Sequence, residues 1–422
     1  MLFYEKYSVF KYIYWILILS FCSIIFGFVK NIFYLNGILN SFFGGLICSI
    51  ILPMLLIFIV TPRYIKTKNI IKIFYIFIYA VFLISIIEFF AYKFNIFVLQ
   101  DFVSIFSNKR LLLDADLKMR FYGFYGIPRL RSIFEEPSYL GYFSFLVSPF
   151  VYEISRYKFQ LVKNKTWDIF IKKTITPALW FSIICSQSPI WLICNAILFL
   201  YVKLFLHNGL KTILKNFIPI LSSSLIIFII FTIRFQKIDL SQTYLVRVMN
   251  VLSNINSLQA FIAIEPSLGT RIITYMNAID LGIKHLFLGC GYGNMGYLMI
   301  DQLKNSPYPL TDELYKVAFL GSSAGNVNIF VKLFSELGLV GVLTFYYFVI
   351  KLFYDLKQTV KKYSMPPIEC LFCRSGSLFC IVFILSTIYD SNFHWPMFHI
   401  IFALQIVIIL KNKTANNKEV KW

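Results

Sequence analysis

The chain has 422 residues, of which 59% are hydrophobic, 19% aromatic and only 14% charged, with a mean hydropathy of +0.73. Soluble domains carry about 25% charged residues, so this composition excludes an ordinary soluble enzyme and reads as an all-α polytopic membrane protein. The formal net charge of +20 does not indicate a nucleic-acid binder, because the basic residues fall in short clusters between apolar runs and no aromatic-basic recognition motif accompanies them.

Apolar runs long enough to cross a bilayer occur at 12–29, 37–60, 70–91, 139–153, 174–187, 189–206, 214–234, 325–350, 372–389 and 393–410, which predicts about ten transmembrane helices in a single transmembrane domain spanning 1–422. The first run follows Lys6 and Lys11 without a small-residue cleavage site and reads as a retained anchor. The runs at 174–187 and 189–206 are short and flank Ser186-Gln187-Ser188-Pro189. They are expected to be two tilted helices meeting at a tight turn, or one broken element. Connections on the side of the N-terminus carry the lysine clusters, among them Lys66, Lys68 and Lys72, Lys163, Lys165, Lys172 and Lys173, and Lys357, Lys361 and Lys362. By the positive-inside rule both termini are expected in the cytoplasm.

Two long loops, 92–138 and 235–324, then fall on the outer face. In the second, Ile272, Ile273, Met276, Ile279 and Ile283 recur at helical spacing, and Val246, Met249, Val251 and Leu252 alternate with polar residues. Short amphipathic helices on the membrane surface are expected there. No separate soluble domain, internal repeat or heptad array is evident. The cysteines lie mostly inside apolar runs, and the single CxxC, Cys370 and Cys373, lacks a second pair or a histidine at ligand spacing. Neither a metal nor a cofactor is expected.

The first outer loop ends in RLRSIFEEPSYLGY, Arg129 to Tyr142, where two arginines and the adjacent Glu135 and Glu136 stand at the mouth of a helix expected from about Tyr139. Pro137 suits the first helical turn, since its missing N–H would have no partner there. The carboxylates can cap and pair locally, or they can do chemistry; both readings stand on this stretch alone. Arginine is distributed unlike lysine. Arg63, Arg156 and Arg374 fall inside, whereas Arg110, Arg120, Arg129, Arg131, Arg234, Arg247 and Arg271 fall outside. Positive-inside bias does not account for an outer face rich in arginine. The guanidinium fork grips phosphate or carboxylate bidentately, so an anionic ligand such as a lipid pyrophosphate is one reading. Pairing with outer acids or with lipid headgroups is the other.

Glu88 and Glu336 fall within expected spans, where an ionisable group is costly and marks either function or a buried pair. His285 precedes Gly289-Cys290-Gly291-Tyr292-Gly293-Asn294. That run permits tight turns and close backbone approach, but it follows no strand and is not a dinucleotide motif. His394 and His399 flank the last span and read as packing or interfacial residues. The stretch Asn326 to Gly341 has a polar start and small residues suited to close helix contact, which leaves Glu336 unexplained.

Together these stretches resemble the family of integral-membrane O-antigen polymerases and O-antigen ligases. The matching stretches are Arg131 to Gly141, the Ser186-Gln187-Ser188-Pro189 turn, Thr270-Arg271 followed by Gly289 to Asn294, and Asn328 to Gly341 with its Glu-x-Gly-x-x-Gly ending. The resemblance implies a fold similar to class C glycosyltransferases and action on undecaprenyl-pyrophosphate-linked glycan donor and acceptor at the periplasmic face of the bacterial inner membrane. It also implies contact with membrane lipids and leaves room for a chain-length regulator as a partner. Two departures stand out: Val327 occupies the position where family ligases place a histidine, and Gln187 replaces the arginine of the family's Ser-Arg turn. The missing imidazole favours a polymerase over a ligase, and the concentration of charge in two outer loops favours either over a lipid-linked oligosaccharide flippase. On this resemblance Arg129, Arg131, Arg247 and Arg271 would bind pyrophosphate, Glu135, Glu136 or His285 would serve as base, and Asn328 and Glu336 would support the site.

Overall fold

A computed structural model describes residues 66–106, 130–134, 137–154, 159–186, 188–202, 266–291, 294–305, 310, 314–315, 327–388 and 396–419. The expected spans at 12–29, 37–60 and 214–234 lie outside these residues, as do Arg129, Glu135, Glu136 and Arg247. The described residues form helices and connecting turns without strands. Four of the helices are long and apolar enough to cross a membrane: Thr67–Lys93, Lys165–Ser186, Ile329–Lys362 and Pro367–Thr387. The chain divides into two compact units, one of residues 71–249 and the other of residues 1–70 and 250–422.

In the unit of residues 71–249 the helices are α1 (Thr67–Lys93, which begins just before the unit), α2 (Phe97–Phe106), α3 (Pro137–Glu153), α4 (Lys165–Ser186) and α5 (Pro189–Tyr201). Helix α3 is apolar on all sides and is buried almost without interruption from Leu140 to Glu153, so it forms the centre of this unit. Aromatic pairs carry much of the packing: Phe150 meets Phe74 of α1 at 5.1 Å between ring centres, and Trp191 of α5 meets Tyr142 at 4.8 Å and Phe145 at 5.4 Å. Gly141 lets α3 pass close to the α4–α5 corner, since an added Cβ would stand 3.0 Å from Ser188 and from Trp191. The Ser186–Pro189 segment resolves as two helices. Ser188 leaves the helical region (φ −104°, ψ 92°), and Pro189 opens α5 at a position that needs no N–H.

The other unit contains α6 (Pro266–Lys284), α7 (Met295–Lys304), α8 (Ile329–Lys362), α9 (Pro367–Thr387) and α10 (Pro396–Glu419). Helices α8 and α9 form an antiparallel hairpin. Phe383 packs on Phe345, and Phe402 of α10 closes the group at 5.0 Å from Phe383 and 5.9 Å from Phe348. At one end Tyr346 and Thr387 share a hydrogen bond of 2.5 Å; at the other, Lys411 meets the buried Glu369 at 2.7 Å. Helix α6 forms where Ile272 to Ile283 recur at helical spacing, but of that stripe only Ile273 is buried, and Met276, Ile279 and Ile283 are exposed. Its inner face, Ile273, Ala278 and Leu281, packs with Met295, Met299 and Leu303 of α7 and Val331 of α8.

Candidate functional site

Residues 130–134 form a strap across α1 and α4. The Leu130 N–H donates to the Cys185 carbonyl at 2.9 Å, fixing the strap to the end of α4. Glu88, buried in α1, reaches the strap from below. Its Oε2 accepts the backbone N–H groups of Arg131 (2.9 Å) and Ser132 (2.7 Å), and its Oε1 lies 3.8 Å from Arg131 Nε. Ser132 takes a left-handed conformation (φ 56°), and its hydroxyl donates to the Val81 carbonyl at 2.7 Å. A non-glycine residue there costs about 1–2 kcal/mol, which the hydrogen bonds made by its N–H and its hydroxyl, about 0.5–1.5 kcal/mol each, offset. Arg131 is itself buried, at 1% exposure. Arg131 thus pairs with the in-span acid Glu88, which also fixes the backbone that leads towards α3.

The second construction joins the glycine run to the Glu-x-Gly stretch. Helix α8 is interrupted at Gly338 (φ 66°, ψ −167°), where the expected run was continuous. A break in a helix exposes carbonyls on one side and N–H groups on the other. The turn after α6 satisfies both. The Cys290 and Gly291 N–H groups donate to the carbonyls of Ser335 (2.8 Å) and Glu336 (3.0 Å), and the Leu286 and Phe287 carbonyls accept from Leu339 (2.8 Å) and Val340 (3.3 Å). Two glycines make this clamp possible. A Cβ on Gly289 would stand 2.2 Å from the Glu336 carbonyl carbon, and one on Gly338 would stand 2.4 Å from the Phe287 carbonyl carbon; both residues have positive φ.

The remaining candidates distribute around the clamp. Glu336 is buried directly before the break. His285 is half-buried, and its carbonyl accepts from the Gly289 N–H at 2.8 Å. Burial pushes the Cys290 thiol well above its ordinary range, and the Glu336 carboxylate pushes it further, so Cys290 stays a neutral packing group. Asn328 caps α8: its Oδ1 accepts from Val331 N–H at 2.8 Å, while its Nδ2 donates to the Ile388 carbonyl at 2.7 Å and so ties the start of α8 to the end of α9. Arg271 is exposed on α6. The clamp was hidden in the sequence, where each glycine had a local explanation; only the left-handed conformations and the backbone contacts connect them. Comparison of the chain with protein-family models finds no match, and comparison with curated proteins finds none.

Proposed function

We propose that this protein is a membrane glycosyltransferase that polymerises undecaprenyl-pyrophosphate-linked repeat units of O-antigen or a related surface polysaccharide. In this reading it works at the periplasmic face of the bacterial inner membrane, with about ten spans in a class C-like arrangement and both termini in the cytoplasm. An acceptor sugar hydroxyl attacks the anomeric carbon of the chain on the donor lipid. The glycosidic C–O bond forms as the bond to the pyrophosphate oxygen breaks, undecaprenyl pyrophosphate leaves with the electron pair, and the hydroxyl proton passes to a base. Positioning of the two lipid-anchored substrates and cations facing the leaving group lower the barrier.

Arg271 and Arg247 take the leaving-group role, with Arg129 the next candidate. Glu135, Glu136 or His285 takes the proton. Arg131, paired with Glu88, acts by holding the strap between Arg129 and the two glutamates. The observation that carries the reading is the clamp: two of the stretches on which the family resemblance rests, Gly289–Asn294 and Asn328–Gly341, meet through backbone hydrogen bonds, and the exposed Arg271 stands on the helix that leads into it. The test is the banding of lipopolysaccharide from a strain lacking the gene. Collapse of the ladder to core plus one repeat is expected. Bare core would indicate a ligase or flippase instead, and an unchanged ladder would remove O-antigen from the reading.

A further inference from the structure

Helix α6 exposes an arc that is apolar at its centre, with Met276, Ile279 and Ile283, and charged at both edges, with Arg271 on one side and the Asp280–Lys284 pair (2.6 Å) on the other. The apolar strip continues beyond the helix end through Leu286, Phe287 and Leu288, and Phe287 is 69% exposed. A contiguous apolar surface of this kind marks an interaction site. Its fastening to α8 indicates what covers it. The hydrogen bonds from Leu339 and Val340 to the Leu286 and Phe287 carbonyls set the tip at the start of the charge-free stretch from Leu337 to Ile350. Helix α8 is long and apolar enough to span a membrane, and its own exposed residues Leu339, Leu343, Tyr347 and Ile350 run down one side at helical spacing. The apolar strip of α6 is therefore continuous with the outward stripe of a span.

We infer that α6 lies in the membrane interface and that its tip, Leu286 to Leu288, is sunk into the acyl layer against lipid. The charged edges reach the headgroups while the apolar centre enters to a depth of about 5–10 Å. Non-helical backbone is tolerated at that depth where its polar groups are satisfied, and two of the tip's carbonyls are. The Leu286 and Phe287 carbonyls accept from α8, and the Gly289 N–H donates back to His285. The glycine clamp thus sets the depth of a lipid-immersed wedge, a role independent of the enzymatic reading.

Tryptophan placed at the tip tests this. The full chain carrying Phe287→Trp or, where that variant does not fold, Leu288→Trp is reconstituted in phosphatidylcholine and phosphatidylglycerol vesicles with brominated acyl chains. The emission added over the parent protein is expected to be blue-shifted, quenched roughly twofold by the brominated lipid and nearly insensitive to aqueous acrylamide. Asp301→Trp, at an exposed position of α7, is expected to respond in the opposite way. Added tip emission quenched by acrylamide and spared by bromine would put the tip in water and overturn the inference. Emission quenched by neither would put the tip against protein, a second copy of this chain included, and would overturn it equally.

Discussion

Glu88 accounts for its own presence inside an apolar span. A bare carboxylate there would be costly, but this one accepts two backbone N–H groups and faces a guanidinium, and each partner belongs to a strap that needs holding. Glu88→Ala takes the acceptor from two buried N–H groups of the strap and a charge partner from Arg131, and is expected to cost about 3–5 kcal/mol, read as a lowered melting temperature of the purified full chain. The double variant Glu88→Leu with Arg131→Met should recover only part of that loss, because it removes the buried charges but leaves the strap N–H groups of Arg131 and Ser132 without their acceptor. An unchanged melting temperature in Glu88→Ala would refute the holding role. Arg271 makes the contrast. Being exposed, Arg271→Ala is expected to shift stability by no more than about 0.5 kcal/mol while shortening the glycan ladder, so that a normal ladder would rule out its leaving-group role. In the sequence Arg131 and Arg271 look alike, each an outer arginine beside polar neighbours. What separates them is a partner 43 residues away from Arg131, and no local pattern announces a pairing at that range.

At the scale of elements, apolar runs located helices more closely than their starts, and the helix interruption was not legible at all. Helix α3 begins at Pro137 rather than about Tyr139 and α4 at Lys165 rather than 174, because polar first turns and prolines continue a helix beyond its apolar run, while Asn328 caps α8 through a bond within one turn. Gly338 sits in an apolar run where a small residue already has a packing explanation. The break depends on a second segment, Leu286 to Gly291, that supplies donors and acceptors from outside the helix. The clamp makes a sharp demand. Gly338→Ala must bear a left-handed alanine, about 1–2 kcal/mol, and a methyl group against backbone that no side-chain rotation relieves, about 1–3 kcal/mol more. Gly289→Ala faces the same pair of costs from the opposite side. Both variants are expected to lower the melting temperature of the full chain markedly, and wild-type stability in either would mean that the clamp is not as tight as 2.2–2.4 Å implies. Asn328→Ser separates the two functions of its parent: it keeps a cap acceptor and loses the amide bond to Ile388, so its destabilisation should fall below that of Asn328→Ala, which loses about 1 kcal/mol of capping as well.

At the scale of the whole molecule, the distribution of charge along α8, α9 and α10 predicts an orientation for one unit in a membrane. Lys357, Lys361 and Lys362 crowd the end of α8, and Lys411 and Lys413 of α10 meet Glu369 and Asp355 at that same end. The α6–α7 pair and the clamp stand near the start of α8, at the opposite end of its charge-free stretch. Basic connections stay in the cytoplasm during insertion, so the turn 363–366 is expected inside and α7 outside. Single cysteines at two exposed positions decide the matter: Ser364→Cys in that turn and Asp301→Cys on α7, each compared with the parent chain, in spheroplasts treated with a membrane-impermeant maleimide. Asp301→Cys should label in sealed spheroplasts, and Ser364→Cys only after lysis. The proposed chemistry depends on this result as much as the orientation does. With the pattern reversed, Arg271 and the clamp would face the cytoplasm, on the wrong side of the membrane for joining lipid-linked repeat units at the periplasmic face.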